Sequence, residues 1–260
     1  MPTFKAFDWY ENAVYYDMIF DTETAEDADF LEDVRERYGL TRGRRVLEPA
    51  CGTGRLVAEF AARGYNVTGF DLCDGALCYA RDRLAQRGLR ARIVIADMAD
   101  FAFRERFDLA FNLVSTFKYL SDERSARAHL ECIAAALKPG GVYALGLHLS
   151  DYDDRKAGYE RWLATRDGLD VTCVIYGWPA DRRKRTERLR TRITVRSNGT
   201  VERYETNWTF RTYSLRQLKA LLRSVPELEH VATYAFDSEI DEPIPFDGER
   251  LDNILILRRC

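Results

Sequence analysis

The chain has 260 residues, 46% of them hydrophobic, enough to bury a sizeable core as one domain with room for an addition. Its 39 basic and 42 acidic residues leave a formal net charge of -3, so nothing in the balance favours general binding to nucleic acid or to a membrane surface. No run approaches the roughly 20 apolar residues that a membrane span needs. The opening MPTFKAFDWYENAVYYD lacks the basic-then-apolar order of a secretion signal. Cys51, Cys73, Cys78, Cys132, Cys173 and Cys260 form no CxxC pair and have no histidine at zinc-finger spacing. Free thiols, no metal and a cytoplasmic location are therefore expected.

In chain order, residues 1–40 are expected to form a helical cap. In TAEDADFLEDVRERYGL, Phe30, Leu31, Val34 and Tyr38 share one helical face, acids lead, and Gly39 is the stop. The aromatics ahead of it, Trp9, Tyr10, Tyr15 and Tyr16, suit a lid packed on the core or a wall over a ligand pocket, and the two are compatible. From 44 to 148 the apolar runs RRVLEPA, YNVTGFD, RIVIAD, FDLAFNLV and GVYALGLH predict buried parallel strands. Helices are expected over GRLVAEFAARG, GALCYARDRLAQRG and SDERSARAHLECIAAALKPGG, the last with Ser121 as N-cap and Ala126, Leu130, Ile133, Ala134 and Leu137 as its buried stripe. Such alternation implies right-handed crossovers and helices on both faces of a parallel sheet.

Residues 151–212 break the rhythm. Asp167-Gly168 and Asn198-Gly199 are two-residue hairpin signals. The second sets Ile193 opposite Tyr204 and Leu189 opposite Trp208 on an apolar face, with Arg192 opposite Glu205 and Arg190 opposite Asn207 on a charged one. The loop Arg182-Arg183-Lys184-Arg185 lacks interleaved aromatics and is expected to be solvated rather than RNA-binding. SLRQLKALLRS then predicts a helix, and HVATYAF and NILILRRC two strands that complete the main sheet. The expected organisation is a lid over 1–40, an α/β domain over 41–150 and 213–260, and an antiparallel β insertion over 151–212.

The first strand ends in Glu48-Pro49-Ala50-Cys51-Gly52-Thr53-Gly54 and runs into a helix. Small residues there let a ligand approach the backbone at a helix N-terminus. Roughly 20 residues on, Asp71 ends the second strand at the spacing that lets a carboxylate reach both ribose hydroxyls. Asp97 ends the third. All three acids fall at the carboxyl ends of parallel strands, where ligands of open α/β sheets bind. A dinucleotide fingerprint would need glycine at 57, where Val57 stands, and no P-loop GKS or GKT occurs. The anionic Glu48 is wrong for a pyrophosphate and suits a cationic amino group.

As an ordered set these motifs resemble class I, Rossmann-like, S-adenosylmethionine-dependent methyltransferases, over about residues 44–148 plus the last strands. The resemblance implies a doubly wound, mostly parallel seven-stranded sheet with helices on both faces and an antiparallel β insertion. It implies S-adenosylmethionine as methyl donor, S-adenosylhomocysteine as product, and no metal. Glu48, Ala50, Cys51, Gly52 and Gly54 match the first motif, with Ala50 where the pattern usually has glycine. Asp71 matches the ribose-binding acid and Leu72 the residue packing on adenine. Asp97 and Met98 match the pair bracketing the adenine. Asn112 and Leu113 match the strand end beside the methionine part, and Tyr16 falls where a lid would close.

The acceptor is harder to read. Asn112-Leu113-Val114-Ser115 is not the NPPY type of enzymes that methylate planar amino groups. A neutral amine needs no dedicated base, whereas a hydroxyl would want one. His148, ending the fifth strand, is the candidate base; His129 is expected to be structural. Phe117, Lys118 and Tyr119 are expected on the acceptor side, with Trp208 on the insertion. Insertions of this kind resemble those of small-molecule methyltransferases, where they roof the acceptor or mediate dimerisation. A small-molecule N or O acceptor, without nucleic acid or membrane and with a homodimer through the insertion, is the expectation. The rivals are a tRNA or protein methyltransferase and a non-catalytic S-adenosylmethionine-binding regulator.

Overall fold

The structure is a computed structural model and describes residues 3–7, 10, 12–21, 23–237 and 239–260; the predicted lid residue Trp9 lies outside them. The elements run β1 (Lys5–Ala6), α1 (Ala13–Phe20), α2 (Thr24–Tyr38), β2 (Arg45–Pro49), α3 (Arg55–Ala62), β3 (Asn66–Asp71), α4 (Asp74–Gln86), β4 (Arg92–Ile95) and β5 (Phe107–Asn112). A 3-10 turn (Thr116–Tyr119), α5 (Glu123–Ala136), β6 (Leu137–His148), β7 (Gly158–Arg166), β8 (Leu169–Gly177), β9 (Thr186–Ser197) and β10 (Thr200–Arg211) follow. The chain ends with α6 (Leu215–Arg223), β11 (Leu228–Tyr234) and β12 (Asp252–Arg259).

Seven strands form the main sheet in the order β11-β12-β6-β5-β2-β3-β4. The five strands from β6 to β4 pair in parallel, and β12 and β11 add antiparallel at one edge. Strand order reverses between β2 and β5, so a crevice opens there at the carboxyl ends. Every residue of β5 is buried, as a central strand covered on both faces must be. Side chains alternate between two cores: Tyr143, Leu145 and Leu147 of β6 join the layer with α5 and α6, while Val142 and Ala144 join the layer with α2, α3 and α4.

Helix α5 corrects one expectation. Its cap is Asp122, not Ser121: the Asp122 carboxylate accepts from the Ser125 N–H at 2.8 Å, and the Ser125 hydroxyl closes a capping box. The residue with a partner three positions on wins over its neighbour. Ser214 caps α6 in the same way with Gln217.

The insertion forms a separate sheet, β1-β10-β9-β8-β7. Its second hairpin has the register set by the Asn198-Gly199 turn, with Ile193 opposite Tyr204, Leu189 opposite Trp208, Arg192 opposite Glu205 and Arg190 opposite Asn207. The two-residue strand β1 adds in parallel beside β10, which no sequence pattern announced. The apolar face carries Val171, Cys173, Ile193 and Val195, and Met18 and Ile19 of α1 pack into it. Arg182 pairs with Asp153 and Arg185 with Glu123 in the basic loop. No helix among the described residues is long and apolar enough to cross a membrane.

Candidate active site

The glycine loop turns from β2 into α3 through three left-handed residues, Ala50 (φ 51°), Gly52 (φ 51°) and Gly54 (φ 68°). At Gly54 a Cβ would fall 2.8 Å from the Cβ of Ala80 on α4, so only glycine allows that packing. Asp71 holds the loop's shape: its carboxylate accepts from the Gly52 N–H and the Cys73 N–H, both at 2.9 Å. Each oxygen keeps a lone pair for a further donor. A Cβ at Gly52 would meet only the Tyr16 ring, at 3.9 Å, so Tyr16 stands over the loop across a narrow space.

Beneath that space lie two buried acceptors, one on each side of the strand-order reversal. Glu48 is buried and its Oε2 has no hydrogen-bond partner among the described residues. Burial pushes its carboxyl up to about 8, against the pull of the nearby Arg55 guanidinium. Arg55 in turn pairs with Asp27 at 2.6 Å. Asn112 donates from Nδ2 to the Pro49 carbonyl at 2.9 Å, and its buried Oδ1 is likewise without a partner among the described residues. Burial also raises the Tyr16 phenol, with Tyr10, Asp71 and Glu48 adding to it and Arg55 opposing.

On the other side of the crevice, Leu72 is 65% exposed at the end of β3. Asp97 is exposed, and its Oδ1 accepts from the Ala99 N–H at 2.8 Å. The Met98 carbonyl lies 2.8 Å from His129 Nδ1, which must carry the proton, and Nε2 accepts from the Tyr143 hydroxyl at 2.8 Å. Burial pushes His129 down to about 4. This histidine is a neutral strut under the Met98 loop. After β5, Leu113 leads into Val114 (φ 59°) and Ser115 (φ 62°). A Cβ at Gly146 of β6 would press on Leu113 Cα at 3.1 Å, so this loop too needs a glycine neighbour.

An aromatic wall runs from the loop to the insertion. Tyr16 and Tyr10 have ring centroids 5.5 Å apart, the Tyr10 hydroxyl donates to the Tyr119 hydroxyl at 2.6 Å, and Tyr119 sits edge-on to Phe210 and Trp208. Lys118 is 3% exposed, pairs with Glu187 and lies over the Phe210 ring. Sequence reasoning missed Phe210 and Glu187. The hairpin register held the signal, since Phe210 follows Trp208 by two and faces Glu187.

One expectation needs correction. Phe117 does not line the acceptor side: it is fully buried against His129 and Tyr213. The 3-10 turn points Tyr119 outward and Phe117 into the core. His148 is half-exposed, with Nδ1 2.6 Å from Asp252, its ring beside Phe236 and its backbone N–H on Ser115 Oγ. Those contacts anchor it at the end of β6, beside the loop that follows β5. Two cavities lie elsewhere among the described residues. One of about 530 Å³ includes Ser150, Arg182 and Arg216, and one of about 350 Å³ includes Arg55, Tyr79, Arg83 and Arg166.

Residues 46–141 match the profile of a methyltransferase domain. A Geobacillus sp. (strain WCH70) protein named as a putative methyltransferase is 24% identical over 216 residues, 82% of this chain and 86% of the relative. The dTDP-3-amino-3,4,6-trideoxy-alpha-D-glucopyranose N,N-dimethyltransferase of Streptomyces venezuelae is 30% identical over 118 residues, 45% of this chain and less than half of that relative, 47%. Among solved structures, an S-adenosylmethionine-dependent methyltransferase from Clostridium acetobutylicum ATCC 824 superposes with TM-score 0.76 at 18% identity, covering 96% of this chain and 98% of the other. Residues 46–141 thus form a methyltransferase domain, and the glycine loop, strand-end acids and seven-stranded sheet give the chain the class I, Rossmann-like fold.

Proposed function

We propose that the chain methylates the nitrogen of a small-molecule amine, with an amino sugar as the acceptor class. Bound S-adenosylmethionine supplies an electrophilic methyl group on a sulfonium. The residues fit it: an unpartnered buried carboxylate at Glu48, an unpartnered amide oxygen at Asn112, and a glycine cradle under Tyr16. Glu48 would accept from the ligand's ammonium, Asp71 from the ribose hydroxyls, and Leu72, Asp97 and Met98 would border the adenine. Ala50, Cys51, Gly52, Gly54 and Leu113 would supply backbone. Residues 1–40 act as a lid and 151–212 as the acceptor roof in this reading.

The observation that carries the choice of acceptor is the aromatic wall, tipped by the paired hydroxyls of Tyr10 and Tyr119. Aromatic faces favour a sulfonium and a methylated ammonium over neutral groups. An amine that arrives neutral needs positioning and exclusion of water more than a base. Tyr119 and Trp208 supply that positioning, and His148 stands aside. The Streptomyces venezuelae relative, whose name gives an amino-sugar acceptor, supports the class. The test is incubation with S-adenosylmethionine and matched panels of amino sugars, free and nucleotide-linked, of phenols and of bulk tRNA, reading methylated product by mass. Transfer to amino sugars supports the proposal. Transfer confined to phenols or to tRNA refutes it, as does an absence of transfer to any amine.

A further inference from the structure

Helix α1 carries Tyr16, yet little in its own sequence holds it in place. It has eight residues, no side-chain N-cap bond, no acid in its first turn and no base in its last. A helix that short does not persist alone. Its position is set by α4, β7 and β8, on which it packs. The lid over the glycine loop is thus held largely by the insertion.

Asp17, next to Tyr16, is 1% exposed. Its carboxylate accepts from Arg83 of α4, from Arg166 Nη1 of β7 at 2.9 Å and from the Tyr79 hydroxyl at 2.9 Å. Arg166 Nη2 also reaches the Tyr79 hydroxyl at 3.3 Å, and Arg83 reaches Asp21 at 3.2 Å. One buried carboxylate therefore ties together the lid, the cofactor domain and the insertion. The mechanism proposed above uses none of these groups.

We propose that Arg166 is a positioning residue for the cofactor site: through Asp17 it holds α1, and so Tyr16, over the glycine loop. This rests on the crevice being the S-adenosylmethionine site. A buried carboxylate that loses a guanidinium partner is driven toward water. Asp17 keeps Arg83 and Tyr79, but the tie from α1 to the insertion is lost, and Tyr16 is held less firmly over Gly52. By the reciprocity of linked equilibria, an acceptor that engages the insertion is felt at the cofactor, and the reverse.

The test is titration calorimetry of S-adenosylhomocysteine into the wild type, Arg166→Met, Tyr16→Ala and the double variant. Arg166→Met should weaken binding by about fivefold or more. In the Tyr16→Ala background it should cost less than about twofold, because the group it positions is gone. Arg166→Lys should recover part of the loss. An unchanged affinity overturns the proposal, and so does an equal loss in both backgrounds, which would mean plain destabilisation. A second readout needs no ligand. Amide exchange over residues 13–20 should quicken in Arg166→Met while β2 and β5 stay protected. If the wild type bound no S-adenosylhomocysteine, the assignment of the crevice would fail, and exchange alone would decide the coupling. Unchanged exchange would overturn it.

Discussion

Glu48→Gln should make the empty protein more stable and its cofactor binding weaker. Burial raises the Glu48 carboxyl from 4.5 to about 8. A carboxyl raised on folding contributes stability that is full below its unfolded value and is lost as pH climbs through its folded value. The window of loss is therefore pH 4.5 to 8. At about 1.4 kcal/mol per pH unit, the whole gap is worth about 5 kcal/mol, and roughly 3 kcal/mol of it is already lost at neutral pH. Glutamine keeps the shape and removes the ionisation, so the variant should unfold at higher denaturant near pH 7.5 and behave like the wild type near pH 4.5. A ligand ammonium against Glu48 favours the ionised carboxylate. Binding should then release close to one proton at pH 7 and tighten by up to about tenfold per pH unit below 8. Calorimetry in buffers of different ionisation heat reads the proton directly. Binding of S-adenosylhomocysteine with no proton release and no pH dependence in the wild type would refute the reasoning, because Glu48 would then not meet the ammonium.

Asp71→Ala should weaken S-adenosylhomocysteine binding by on the order of 2–4 kcal/mol, measured by calorimetry. Part of that loss comes from freeing the Gly52 and Cys73 N–H groups it holds, so Asp71→Asn should lose less. His148→Asn should leave amine methylation within about threefold; a fall of about a hundredfold or more, the range of a general base, would move the acceptor from amine to hydroxyl. Trp208→Ala should raise the acceptor KM while S-adenosylhomocysteine affinity holds, and equal effects on both ligands would place Trp208 in the fold rather than in the acceptor wall.

The cofactor half was legible because its signals are local. Strand-end acids and small residues at fixed spacing report a backbone that must come close to a ligand, and Ala50, Gly52 and Gly54 do have the left-handed angles such a turn demands. The hairpin register was legible for the same reason, since a two-residue turn leaves no freedom in the pairing. Phe117 was misjudged because sequence position places a residue near a strand end without saying which way a 3-10 turn directs it. The contact of His148 with Asp252, 104 residues away, had no local signal either. The cover over the insertion's apolar face was missed in part for a similar reason. A second subunit or the crevice mouth was expected there, and α1 takes much of it.

Backbone strain follows the same division. Of the non-glycine residues with positive φ, Asp167, Arg185 and Asn198 lie in turns between strands, while Ala50, Val114 and Ser115 lie at the crevice. A left-handed residue with a side chain costs about 1–2 kcal/mol, and a turn between strands needs one to reverse the chain. The crevice residues reverse no hairpin, so the fold must hold them by other means. Asp71 grips Gly52 two residues after Ala50, and the Ser115 hydroxyl accepts from the His148 N–H. The two strained loops flank the reversal of strand order, one after β2 and one after β5. Each is held by the protein's own hydrogen bonds. A site in which the donors of both loops are already fixed need not reorganise as charge moves from sulfonium to acceptor, and holding the geometry is most of what methyl transfer to a neutral amine requires.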